Sequence, residues 1–300
     1  MKLVVALGGN ALIRRGEALE AEVQRANLAR AAETLASLAR AHELVVTHGN
    51  GPQVGLLALQ SEALEGVAPY PLDILDAESE GMIGYLIEQA LESRLPERQV
   101  VTLLTEVVVR RDDPAFARPS KPIGPWYGEA EARRLARTRG WTMLEERGRW
   151  RRVVPSPEPL RIVELAAIRL LLAAGALVIC AGGGGIPVEI TAAGAVRGVE
   201  AVIDKDLAAA LLARELEVDA LLLLTDAEGV FIDWGTPGAR RLHETSVAEL
   251  RAQGFAVGSM APKVEAVCRF IESGGRFAGI GRLENAARIL EGRSGTVLRR

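Results

Sequence analysis

The chain has 300 residues, 49% of them hydrophobic and 25% charged, with a formal net charge of −3. That apolar content excludes a disordered or fibrous chain, and the near-balanced charge with a pI of about 5.8 argues against a general nucleic-acid binder. The two cysteines, Cys180 and Cys268, stand alone in apolar stretches, so neither a disulfide nor a metal-ligand spacing can be built from them.

Lys2 to Leu7 is an apolar run that stops at Gly8-Gly9-Asn10 and reads as a first strand. It leaves no room for a signal peptide, and no apolar run reaches the length of a membrane span. A cytoplasmic protein with neither membrane nor nucleic-acid partner is expected. Glu17 to Ala41 carries Val23, Leu28, Ala31, Ala32, Leu35 and Leu38 at helical spacing. Leu44 to Thr47 is a strand that ends at His48-Gly49-Asn50-Gly51-Pro52, and Pro52 suits the first turn of a helix over 53–64. A further helix spans Leu72 to Ser93, and the β-branched run Val100 to Val109 reads as one strand. Residues 110–160 hold seven prolines, many arginines and few long apolar runs, and are expected to leave the main sheet as a lid or protruding subdomain.

The alternation then resumes. Arg161 to Ala174 reads as a helix apolar almost all round and buried on both sides, and Ala176 to Cys180 as a strand ending in Gly182 to Gly185. Asp204 to Glu217 is a helix, Ala220 to Leu224 a strand, and Ser259 to Ser273 a helix. Arg276 to Ile280 and Thr296 to Leu298 are strands flanking a helix over Glu284 to Leu290. Such alternation predicts a mostly parallel sheet with helices on both faces, and ligands in such sheets bind beyond the carboxyl ends of the strands.

Three glycine-rich loops fall at those ends, at 8–10, 49–51 and 182–185. Glycine leaves backbone amides bare, so such loops can cradle anionic oxygens. Their spacing matches neither the phosphate-binding loop of Walker-type NTPases nor the dinucleotide fingerprint. Of 36 basic residues only Lys2, Lys121, Lys205 and Lys263 are lysines. The last three lie in turns flanked by Gly, Pro or Asp, where a compact ammonium serves and a planar guanidinium would not.

Seven blocks in chain order resemble the carbamate kinases of the amino acid kinase superfamily. They are Val5 to Leu12, His48 to Gly55, Ser120 to Pro125, Arg152 to Pro157, Gly182 to Pro187, Gly198 to Asp206 and Gly258 to Ala266. The resemblance implies a three-layer αβα sandwich with a central, mostly parallel sheet and a small protruding subdomain over the site, at about 112–155. It implies one amino acid kinase domain with an acceptor-binding lobe at about 1–195 and a nucleotide-binding lobe at about 196–300, assembled as a homodimer. The implied reaction is reversible: MgATP and carbamate give MgADP and carbamoyl phosphate, with ATP formation as the expected use and Mg²⁺ arriving on the nucleotide rather than on protein ligands.

By the same resemblance, Gly8, Gly9 and Asn10 with Gly49, Asn50 and Gly51 hold the transferring phosphoryl and carbamoyl groups. Lys121 reaches in from the subdomain, Lys205 and Lys263 contact the nucleotide phosphates, and Asp206 orients the lysines. Asp204, Thr225 and Asp226 belong to the nucleotide side, where the segment from Leu224 to about Gly238 forms the adenine and ribose pocket. Carbamate is already an anion, so no general base is needed, and His48 is expected to be structural.

Glu80 stands where the family usually has glutamine, which could set a negative charge near the anionic end of the site. Thr225 to Val230 looks more like the wider superfamily, and Gly281 to Asn285 lacks a hydroxyl residue often found there. The rival readings are another superfamily kinase, acting on N-acetylglutamate or a nucleoside monophosphate, and a non-catalytic nucleotide sensor or storage protein. Intact Lys121, Lys205 and Lys263 speak against the latter.

Overall fold

Alternate side chains of the strand Lys2–Leu7 divide the interior in two. Leu3, Val5 and Leu7 face one way, Val4 and Ala6 the other, and all five are fully buried, as the two-residue period of a strand requires. The computed structural model describes residues 1–14, 16–146, 148–255 and 260–300. Helices Ala21–Ala41, Leu72–Glu92 and Ala286–Leu290 cover the Leu3 face. Helices Leu165–Ala173, Lys205–Glu215 and Ala261–Glu272 cover the Val4 face. The result is a three-layer αβα sandwich, as expected.

The middle layer is an eight-stranded sheet in the order Glu244–Thr245, Thr296–Arg299, Phe277–Arg282, Ala220–Thr225, Lys2–Leu7, Glu43–His48, Leu177–Cys180, Val100–Leu103. From Phe277–Arg282 to Val100–Leu103 every neighbouring pair is parallel; only Phe277–Arg282 and Thr296–Arg299 run antiparallel. Leu7 stands opposite both His48 and Leu224, so the loops after these three strands leave the sheet at one level.

A second sheet of four short strands, Val196–Gly198, Ile186–Ile190, Glu106–Val108 and Arg161–Ile162, continues from the Gly182 loop. Residues 121–154 form a third unit: the antiparallel strands Lys121–Tyr127, Arg149–Val154 and Thr142–Glu146 with helix Glu129–Arg139. Ile123 and Val154 at its base join a small core with Val54, Leu72 and Leu75. A Cβ on Gly55 would lie 2.0 Å from the Gly124 Cα, so glycine is required for this close backbone approach.

Several elements depart from the sequence reading. The expected strand Val100 to Val109 is two strands in two sheets, Val100–Leu103 and Glu106–Val108. The break falls at Thr105, whose hydroxyl donates to the Leu103 carbonyl and whose N–H is taken by Glu80. The expected helix over 161–174 begins with the strand Arg161–Ile162, and the helix proper, Leu165–Ala173, buries only Ile168 and Leu172. Leu170 is 72% exposed, so the all-round apolar pattern does not mean burial on both sides. The first long helix starts at Ala21 rather than Glu17, because the Glu17 carboxylate is drawn back onto the Arg14 N–H and the Asn27 amide. Ser259 lies outside the described residues, and the helix that follows runs Ala261–Glu272.

Candidate active site

Strand order brings the expected loops together. Gly8 to Asn10, Gly49 to Gly51, Ala181 to Gly185 and Thr225-Asp226 all follow the carboxyl ends of adjacent parallel strands. Their glycines do different work. The Gly8 N–H is spent on the Leu224 carbonyl at 2.8 Å and the Gly49 N–H on the Leu7 carbonyl at 3.1 Å. Those two residues therefore offer room rather than donors. A Cβ on Gly49 would sit 3.3 Å from Cδ and Cε of Lys205, so the missing side chain clears the path of that lysine. Gly183 and Gly184 are left-handed, at φ 71° and 112°; a Cβ there would strike the Asn50 amide and the Ile203 carbonyl respectively.

The lysines converge on helix Lys205–Glu215. Asp204 caps it: its Oδ1 accepts from the N–H groups of Asp206 at 2.9 Å and Leu207 at 3.2 Å. Its other oxygen, Oδ2, takes the Lys121 ammonium at 2.6 Å, although 83 residues separate the two. Asp206, the second residue of the helix, accepts from both Lys205 and Lys263 Nζ, the latter at 2.8 Å. Lys263 comes from the start of helix Ala261–Glu272. Three ammonium groups thus face two carboxylates, and one formal positive charge is left over beside two helix N-termini, which also favour anions.

Burial works against the Lys205 ammonium, and with the nearby Lys263 charge it pulls the pKa down to about 8 despite Asp206. Burial alone would raise Asp206; Lys205 and Lys263 outweigh it and hold its carboxyl well below the ordinary range. Lys263 shows the opposite balance to Lys205: burial lowers it, but Asp206 and Asp204 prevail and the net shift is upward.

The acceptor side is lined by buried polar groups. His48 is fully buried, burial lowers its pKa to about 4, and its Nδ1 lies 3.2 Å from the Gly49 carbonyl. It is neutral and packed against Gly182, where a Cβ would come within 2.3 Å of the ring, as suits a structural role. Both amide hydrogens of Asn50 are used, on Asp76 Oδ1 and Ser79 Oγ, each at 2.9 Å. What Asn50 offers a ligand is therefore its backbone and its side-chain oxygen. Glu80 is buried, and burial pushes its pKa up to about 8, so the feared charge is absent at neutral pH. On the other flank, Gly8, Asn10, Thr225 and Asp226 border a cavity of about 680 Å³ that also takes in Arg14, Arg30 and Arg282.

Asp76 and Ser79 were not singled out from sequence. The available signal was polar residues at 76, 79 and 80 within an otherwise apolar helical stripe of Leu72, Leu75, Ile83 and Ile87. The Lys121–Asp204 pair had no sequence signal at all. The Gly258-Ser259 part of the last motif lies outside the described residues.

The amino acid kinase family model matches residues 1–280. A carbamate kinase of Rhizobium meliloti is 52% identical, with 99% of this chain and 93% of that protein covered. One of Escherichia coli K12 is 51% identical over 99% and 98% of the two chains. Among solved structures, carbamate kinase from Giardia lamblia bound to AMP-PNP superposes with a TM-score of 0.90 at 41% identity, covering 99% of this chain and 98% of that one. This chain belongs to the amino acid kinase family, and within it to the carbamate kinases.

Proposed function

We propose that the protein transfers a phosphoryl group reversibly between MgATP and carbamate, giving MgADP and carbamoyl phosphate. The observation that carries this reading is the convergence of Lys205 and Lys263 on Asp206, with Lys121 on the adjacent Asp204, at the mouth of the glycine loops. The obstacle to the reaction is charge. Carbamate and the phosphoryl group are both anions, and two unit charges 4 Å apart repel by about 4 kcal/mol at an effective dielectric of 20. Ammonium groups and loop amides aimed at the phosphoryl oxygens offset this, leaving mostly positioning. No base is required in this reading, and His48 has a structural part in it: it is buried beside Gly182, and burial lowers its pKa to about 4.

In this reading Lys205 and Lys263 hold the nucleotide phosphates, Asp206 orients both, and Lys121 exchanges Asp204 for the transferring group. Gly9, Asn10, Asn50 and Gly51 line the acceptor end, with Gly8 and Gly49 giving clearance. Thr225 and Asp226 open the nucleotide side, and Asp204 braces the helix beneath it. The division is one of labour rather than of sheets: residues up to about 195 serve the acceptor and those from about 196 the nucleotide, while 112–155 form the lid. Mg²⁺ travels with the nucleotide in this reading, while Asp204 and Asp206 stay paired with the lysines.

A homodimer belongs to the same reading; Ile74 and Tyr85, exposed apolar side chains of helix Leu72–Glu92, are available to such an interface. No helix among the described residues is long and apolar enough to cross a membrane; a cytoplasmic location is part of the same reading. The reading is tested by assaying ADP formation from ATP with carbamate, N-acetylglutamate and UMP in parallel. Turnover with carbamate alone is expected; turnover with either of the others instead would overturn it.

A further inference from the structure

We propose that one turn of helix Leu72–Glu92, carrying Asp76, Ser79 and Glu80, positions both loops of the acceptor end, with Glu80 as the principal positioning residue. The inference rests on the carbamate reading for its kinetic expression but not for its geometry.

The three side chains occupy positions i, i+3 and i+4, one face of a helix. All are buried, at 2%, 0% and 1% exposure for Asp76, Ser79 and Glu80. Each is turned to a loop rather than to the apolar core around it. Asp76 and Ser79 hold the Asn50 side chain. Ser79 donates in turn to the Asp76 carbonyl at 3.0 Å, which orients its oxygen to accept. Glu80 accepts from the Gly182 N–H through Oε1 at 2.8 Å and from the Thr105 N–H through Oε2 at 3.2 Å. Thr105 completes the set: its hydroxyl oxygen accepts from the Ala181 N–H at 3.0 Å.

The two loops are also locked to each other. A Cβ on Gly183 would lie 2.2 Å from the Asn50 amide nitrogen, and one on Gly182 would lie 2.3 Å from the His48 ring and 3.1 Å from Glu80 Cγ. Neither loop can shift without moving the other or the helix turn. This rigidity suits phosphoryl transfer, where a displacement of about 1 Å can cost about 10²-fold in rate.

Both partners of Glu80 are N–H donors. A protonated carboxyl keeps acceptor capacity on both oxygens beside its one O–H donor and can serve both, whereas a glutamine is equally neutral and keeps a single carbonyl acceptor. Burial keeps Glu80 protonated below about pH 8, with Glu164 adding to the effect, so the clamp adds no charge beside the anionic acceptor.

The test compares E80A, E80Q, D76A, D76N and the milder S79A in the ADP plus carbamoyl phosphate direction. E80A and D76A should raise the KM for carbamoyl phosphate about tenfold, worth ~1.4 kcal/mol, and lower kcat, while the KM for ADP stays within about twofold. E80Q keeps one acceptor and the neutral charge and should lie between wild type and E80A. D76N keeps an acceptor for Asn50 and should lie between wild type and D76A. S79A covers the case in which the larger changes prevent folding. A second measurement needs no substrate: amide hydrogen exchange at 49–51 and 181–185 should quicken together in E80A. Melting temperatures that fall with both KM values unchanged, or that fall while the two KM values rise equally, would reduce the turn to a structural role and overturn the proposal. So would unaltered exchange in either loop. If wild type fails to use carbamoyl phosphate, the carbamate reading fails, and exchange in the two loops still decides the positioning claim.

Discussion

Lys205→Ala removes the cation placed closest to the glycine loops. Its side chain is 12% exposed, so solvent screens it little. At an effective dielectric of 20, losing one unit charge about 4 Å from a developing negative charge is worth at most about 4 kcal/mol. Lys263, on the other oxygen of Asp206, stays in place and recovers part of that loss. The expected fall in kcat is therefore about 10²–10³, the scale seen when one charge-stabilising group is lost. Lys205→Arg should fare little better. The chain passes the Gly49 Cβ position at 3.3 Å, and a planar guanidinium needs more width than an ammonium there. The assay is ATP formation from ADP and carbamoyl phosphate, with folding checked by circular dichroism. A folded Lys205→Ala protein turning over within about threefold of wild type would refute the charge argument.

The remaining predictions concern pH, the lid and one glycine. With Lys205 pulled down to about 8, its charged form is lost as pH rises through that value, so kcat/KM for ADP should fall above about pH 8 and be level below it. Glu80, raised from 4.5 to about 8, holds a proton in the folded state that the unfolded chain has released. Its contribution to stability is thus full below pH 4.5 and is lost as pH rises to about 8, and urea midpoints of E80Q should show a weaker decline over that window than wild type. Lys121→Ala should lower carbamoyl phosphate turnover and leave ADP affinity nearly intact, with hydrogen exchange across 112–155 slowing when both ligands are bound. Equally slow exchange without ligand would mean a fixed subdomain; the Ile123 and Val154 contacts confine any movement to the part beyond its base. Gly184→Ala, at φ 112° and 2.6 Å from the Ile203 carbonyl, should cost about 3 kcal/mol or more in urea unfolding.

The architecture was legible because local periodicity reports it. Runs such as Leu3 to Leu7, Leu44 to Val46 and Ala220 to Leu224 are apolar at every position because both faces of a parallel sheet are covered. The glycine loops and the scarce lysines were legible for a different reason: each is a local exception in composition, and seven such blocks in family order left little freedom. Periodicity and motif order were enough for the sandwich, and the resemblance pointed to Lys121, Lys205, Lys263 and Asp206 as charged members of the proposed site. Tertiary structure alone decided which groups pair and which are buried. That Lys121 lands on Asp204, that Asn50 turns its amide to Asp76 and Ser79, and that Glu80 clamps Gly182 and Thr105 are contacts between residues 25 to 102 positions apart. The same holds for Val100 to Val109, where a β-branched run was cut at Thr105 by a carboxyl group from another helix. Propensity and spacing describe neighbours along the chain, whereas burial, and with it the charge state of Glu80 and Lys205, depends on what the fold packs around them.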